Sequence, residues 1–129
     1  MPQVRMITGI DYAALAELLR RALETAVLAT EFNKSVSADA DILASDLALT
    51  QNGILRVTVA LSGAAVFKLK LTRGTTTKVL SANSGDALVA DSLYYFDCPV
   101  RSGDKVNFRP SAGVTVQVLN ADLVVAMGP

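Results

Sequence analysis

The sequence predicts a mainly β protein: an antiparallel β-sandwich or jelly roll of seven or eight strands, preceded by one N-terminal amphipathic α-helix. Three observations carry that expectation. From residue 42 onward, apolar and polar residues alternate with a period of two. Clusters of Gly, Asn, Asp and Pro interrupt the alternation every eight to twelve residues, the spacing of short antiparallel strands. Helical spacing occurs in a single segment near the N-terminus, so no βαβ units are expected.

Residues 1–10 carry Pro2 and Gly9, show no periodicity, and are expected as an extended arm. Asp11 opens a different texture, DYAALAELLRRALETAVLATEF, covering residues 11–32. Asp is a strong N-cap, and Ala, Leu, Glu and Arg are good helix formers. Tyr12, Leu15, Leu19, Ala22, Ala26 and Ala29 recur at alternating spacings of three and four, with Leu18, Leu23 and Val27 widening the stripe. Glu17, Arg20, Arg21 and Glu24 fall mostly opposite, and Glu17–Arg21 has the favourable i,i+4 order. An amphipathic helix of about 20 residues follows, roughly 30 Å long. Its stripe can pack against the β-domain of its own chain or against identical helices of neighbouring subunits. It spans under three heptads with alanines at several seam positions, too little to assemble alone. Residues 33–41, NKSVSADAD, form a polar linker to the β-sandwich domain of residues 42–129.

Within that domain ILASDLAL (42–49) and ILRVTVAL (54–61) flank Gln51-Asn52-Gly53, and Asn-Gly is a strong hairpin signal. Leu55, Val57, Val59 and Leu61 face one way, and Arg56, Thr58 and Ala60 the other. SGAA turns the chain into VFKLKLTR (66–73), with Phe67, Leu69 and Leu71 inward and Lys68 and Lys70 outward. Arg73-Gly74 starts a turn into TTTKVLSA, and NSGDA (83–87) turns again before SLYYFDCPV (92–100). Tyr94 and Tyr95 are adjacent in that strand and face opposite sides, one in the core beside Phe96 and Cys98, the other free for an interface. VRSGDKVNFR (100–109) reads as strand, tight turn, strand, with Asp104 capping the turn. VTVQVLNADLVVAM (114–127) is one long bent strand or two meeting near Asn120-Ala121.

Composition narrows the function. The chain has 129 residues, 12 basic and 12 acidic side chains, and no net charge to attract nucleic acid or an anionic membrane. No apolar run approaches the roughly 20 residues that span a bilayer. Asp11 and Glu17 interrupt the region where a signal peptide would need a continuous apolar segment. The hydrophobic share is 51% against 19% charged, more apolar than a domain of this size needs, and a subunit interface is the expected destination of the excess.

Chemistry finds little to work with. There is no His, the commonest general base and metal ligand, and Cys98 is the only cysteine, expected as a small buried hydrophobe. Asp39, Asp41 and Asp46 lack the central Gly and terminal bidentate Glu of a calcium loop and read as solvated loop acids. A Ser–Lys dyad drawn from Lys68, Lys70, Lys78 or Lys105 is formally available, but no spacing selects one. No catalytic residue, cofactor or metal is expected.

The strand followed by Gly103-Asp104-Lys105-Val106 resembles the late hairpin of the trimeric jelly-roll domains of the complement and tumour-necrosis-factor-like group. The run from Val57 to Arg109 is also similar in texture to structural proteins of tailed-phage virions, both capsid decoration (cement) proteins and fibre modules. The resemblance covers roughly residues 50–127. It implies a homotrimer in the virion, assembled in the host cytoplasm, whose partners are copies of itself and other capsid proteins. The interface residues expected are Tyr12, Leu15, Leu19, Leu23 and Tyr95. The alternative is a fibre or adhesin-type module that recognises a host-surface glycan or protein through an exposed tyrosine.

Overall fold

The computed structural model describes residues 25–125. The expected arm and the part of the helix reading before Thr25 lie outside the described residues. Eight strands follow in order: β1 (Thr25–Val36), β2 (Leu47–Ala48), β3 (Gly53–Leu61), β4 (Phe67–Arg73), β5 (Thr76–Ser81), β6 (Tyr94–Val100), β7 (Lys105–Pro110) and β8 (Val114–Val124). They form two four-stranded antiparallel sheets, sheet A in the order β1-β8-β3-β6 and sheet B in the order β2-β7-β4-β5. First pairs with last, second with seventh, third with sixth and fourth with fifth. That is a long antiparallel ribbon rolled over on itself, the topology of a jelly roll.

Alternation explains why these segments are strands. In β3, Leu55, Val57, Val59 and Leu61 are buried between the sheets, as their period of two requires. Opposite them lie Phe67 of β4 and Val106 and Phe108 of β7, and from β8 come Val116, Leu119, Ala121 and Leu123. The rings of Phe67 and Phe108 stack at 5.5 Å in sheet B, and Phe67 meets Phe96 of sheet A at 6.0 Å. Tyr94 continues the column at 6.2 Å from Phe96. The two alternatives for the last run resolve to one strand, with a bulge where β3 passes from Ala60 to Leu61.

Several expectations need correction. Residues Thr25–Phe32, placed in the helix, belong to β1, as do Asn33–Val36 of the expected linker. TAVLATEF has helix-compatible composition, but β8 presents eleven residues of unpaired backbone on this side, and pairing from Thr25↔Val124 to Val36↔Val114 satisfies them. Non-local hydrogen bonds outweigh a local propensity worth tenths of a kcal/mol per residue. The Asn52-Gly53 turn is not a hairpin either. It carries the chain from sheet B to sheet A, where β3 pairs with β6 and β8. Gly53 is needed there for space, since a Cβ would run into the Val124 carbonyl oxygen. The Ser102-Gly103-Asp104 turn likewise joins β6 of one sheet to β7 of the other, with Gly103 at φ 93°.

ILASDLAL is a strand only at Leu47–Ala48, although the segment still runs beside β7, with Ile42 N–H donating to the Phe108 carbonyl. Between these points the backbone bulges away, and Asn107 fills the gap. Its amide oxygen accepts from Leu43 N–H, and its amide nitrogen donates to the Leu43 carbonyl and to Asp46 at 2.9 Å. The side chain therefore does what a ladder would have done, and it is buried. Replacing it with an isosteric hydrocarbon, Asn107→Leu, leaves the Leu43 N–H and carbonyl unmet. The expected cost is about 1–3 kcal/mol, read as a lower urea midpoint with an unchanged m-value.

Candidate functional site

The jelly roll has two outer faces, and they differ in character. On sheet B, Lys68, Lys70 and Thr72 of β4 point outward beside Arg109, Asn107 and Lys105 of β7. The three loop acids meet these cations rather than standing free in solvent: Lys68 bonds Asp39 at 3.2 Å, Lys70 bonds Asp41 at 3.2 Å and lies 3.6 Å from Asp46, and Arg109 bonds Asp41. Burial alone would raise the Asp41 pKa, but hydrogen bonds from Arg109 and Lys70 outweigh it and hold the carboxyl below its usual value. Each such pair is weak on its own. Together they pin residues 39–46 over the sheet and make much of this face polar, with Val79 of β5 exposed in the row of Lys70.

Among the described residues, no segment covers sheet A in this way. Cross-strand register lays out its outer face in rows: Val124, Ile54 and Pro99; Val27, Asp122, Arg56 and Asp97; Thr30, Asn120, Thr58 and Tyr95; Phe32, Val118 and Ala60. Phe32 is 76% exposed, Tyr95 67% and Val27 64%, with Ile54 also exposed. These four large side chains stand on one sheet face among Thr30, Arg56, Thr58, Asp97, Asn120 and Asp122. Arg56 pairs with Asp97 at 3.1 Å, while one carboxylate oxygen of Asp122, Oδ1, is buried with no hydrogen-bond partner.

Alternation puts the two adjacent tyrosines on opposite sides, and Tyr95 is the one on the solvent side, with Tyr94 inside stacked on Phe96 and accepting a bond from Val89 N–H. Tyr12, Leu15, Leu19 and Leu23 lie outside the described residues. Phe32 and Val27 were hidden by the helical reading of their segment. Ile54 could have been found, because it shares parity with Arg56 and Thr58 along β3.

A second apolar feature lies where the edge strands β5 and β6 leave the sandwich open. Val57, Phe67, Leu69, Leu80, Phe96 and Cys98 line a cleft of about 190 Å³ there. The Cys98 thiol is half-buried, and burial pushes its pKa up, against the weaker pull of Arg73. At the opposite margin Lys34 closes the gap by donating to the Ile42 carbonyl at 2.6 Å.

Among the described residues no group of three His, Cys, Asp or Glu side chains converges to hold a metal, and no helix is long and apolar enough to cross a membrane. The serine of SGAA, Ser62, accepts a bond from Thr115 N–H, which ties that turn to the start of β8.

No protein-family model matches the chain, and no curated protein matches it. Solved structures do match in shape. The C-terminal domain of a structural protein from Sulfolobus turreted icosahedral virus superposes with a TM-score of 0.51 at 17% identity, over 77% of this chain and 98% of that one. The fold is shared. Two crystal structures of a pentameric capsid protein from metagenomic phage sequences superpose at a TM-score of 0.45, with 20% and 21% identity. They cover 94% and 100% of this chain and 82% of their own.

Asp104 is as deeply buried as Asn107, at 1% exposed. It caps its turn as expected, accepting from Arg101 N–H at 2.8 Å, and is gripped by two bonds from Arg73 at 2.9 and 2.8 Å. Those Arg73 bonds hold its carboxyl below the ordinary Asp value against the opposing effect of burial, and raise the pKa of Arg73. A folded-state pKa below the unfolded one stabilises the protein above the unfolded value, about 3.9, and that contribution fades as pH falls through the folded value. Asp104→Asn should lower stability at neutral pH and flatten the decline below about pH 4. Thermal melts from pH 7 to pH 2 check both parts.

Proposed function

We propose that this chain is a non-enzymatic virion structural protein that decorates a capsid shell as a homo-oligomer, with a trimer as the expected state. The observation that carries the reading is the jelly roll shared with a structural domain of an icosahedral virus, here combined with the exposed Val27, Phe32, Ile54 and Tyr95 on the outer face of sheet A. A polar, ion-paired sheet B suits the surface turned to solvent. An apolar sheet A suits the surface turned to copies or to the shell. Closed symmetry repeats each weak contact around an axis, and multivalency turns the set into stable attachment.

One observation favours a second reading. Tyr95 heads a row with Thr58, Asn120 and Thr30, an exposed aromatic ring beside polar side chains, which is the composition of a simple sugar platform. On that reading the chain is a fibre or adhesin-type module for a host-surface glycan.

Native mass measurement combined with co-sedimentation separates the two. The decoration reading expects a species at a multiple of 13.6 kDa, three copies for a trimer, that pellets with shells stripped of the protein. A monomer at micromolar concentration that ignores such shells would overturn it. Glycan-array binding abolished by Tyr95→Ala would install the recognition module in its place.

A further inference from the structure

We propose that Lys70 and Asn107 join covalently: Nζ of Lys70 displaces the side-chain nitrogen of Asn107, leaving an isopeptide bond between β4 and β7, with Asp46 as proton carrier. The bond lies within one chain and does not depend on the chain's assembly with copies or a shell.

Three groups meet under the segment that covers sheet B. Lys70 and Asn107 are directly opposed in the β4–β7 register, so their side chains leave the backbone about 5 Å apart. Asn107 is buried and Lys70 is mostly covered. One oxygen of Asp46, Oδ1, accepts from Asn107 Nδ2 at 2.9 Å and lies 3.6 Å from Lys70 Nζ. Amine and leaving group therefore share one carboxylate.

The carboxamide of Asn107 is arranged as an electrophile. Its oxygen accepts from two backbone amides, Leu43 N–H at 3.0 Å and Phe108 N–H at 2.8 Å. Paired donors at this range polarise a carbonyl and stabilise the oxyanion that forms when a nucleophile adds to it. Nδ2 is fixed by the Leu43 carbonyl at 3.1 Å as well as by Asp46, so the amide is held in one orientation. Asp41 accepts from Lys70 at 3.2 Å and keeps Nζ over the sheet.

The step balances without a co-reactant. Nζ passes one proton to Asp46, and its lone pair attacks Cγ of Asn107. A second Nζ proton moves to Nδ2 as the Cγ–Nδ2 bond breaks. Nδ2 leaves as ammonia and takes the first proton from Asp46, so the products are a secondary amide and an ammonium ion. The reaction happens once per chain. Partners held in place reach effective molarities of about 10⁵–10⁸ M, so even a slow attack goes to completion.

Intact-mass spectrometry of the full chain, denatured after incubation at neutral pH, should read the sequence mass less one ammonia. A tryptic digest should then hold one branched peptide joining the segments of Lys70 and Asn107, uncut after Lys70. Lys70→Arg keeps the charge facing Asp41 and Asp46 and should restore the full mass. The urea comparison for Asn107→Leu is accordingly made in that background, where no bond can close. Asp46→Ala should slow closure, and an unchanged rate overturns the role given to Asp46. Succinimide formation at Asn52-Gly53 loses the same ammonia, but it survives Lys70→Arg and gives no branched peptide. An unaltered chain that stays at its sequence mass overturns the proposal, as does a mass loss that persists in Lys70→Arg. The first of these readings is taken on the unaltered protein and needs no variant to fold.

Discussion

The column of rings formed by Phe108, Phe67, Phe96 and Tyr94 is the contact that makes two sheets into one body. Phe108 and Phe67 come from adjacent strands of sheet B, Phe96 and Tyr94 from an edge strand of sheet A. Aromatic side chains bury more area per residue than any others, and the chain has only seven Phe and Tyr and no Trp. Four of the seven are committed to this column. The aliphatic residues of β3, β7 and β8 then fill the remainder of the interlayer space.

Holding the sheets face to face creates a topological demand at their margins, because the chain must pass repeatedly from one to the other. The crossings are where polar residues enter. Asp104 secures the passage from β6 to β7 by bonding the backbone of Arg101 and the guanidinium of Arg73. Asn52 accepts from Ser102 N–H, so the two neighbouring crossings brace each other. Asn107 repairs the bulged approach to β2. Each group lies where backbone donors or acceptors would be left without a partner, which explains why these buried polar residues fall at corners and bulges.

The same arrangement decides which surface is left over. Residues 39–46 fold over sheet B and neutralise its lysines, while no described segment does this for sheet A. A protein of this size with two equally polar faces would be self-sufficient. In this one the outer face of sheet A keeps Val27, Phe32 and Tyr95 exposed, and the proposed role among copies or on a shell takes its support from that difference.

Much of this was legible beforehand because it depends on local rules. The parity of apolar residues placed Leu55, Val57, Val59 and Leu61 on one face and Tyr94 and Tyr95 on opposite faces, and turn chemistry placed the turns at Gly74 and Gly103 where a left-handed backbone is required. The capping role of Asp104 was also readable, since a short acid after Gly bonds backbone nearby. Period and turn chemistry are properties of a few consecutive residues. Tertiary structure alone decided that Thr25–Phe32 is a strand, that Asn52-Gly53 changes sheets, and that Asn107, Arg73 and the loop acids have partners 24 to 68 positions away. These depend on which distant backbone and side-chain groups would otherwise go unpaired, and a linear pattern carries no record of that need.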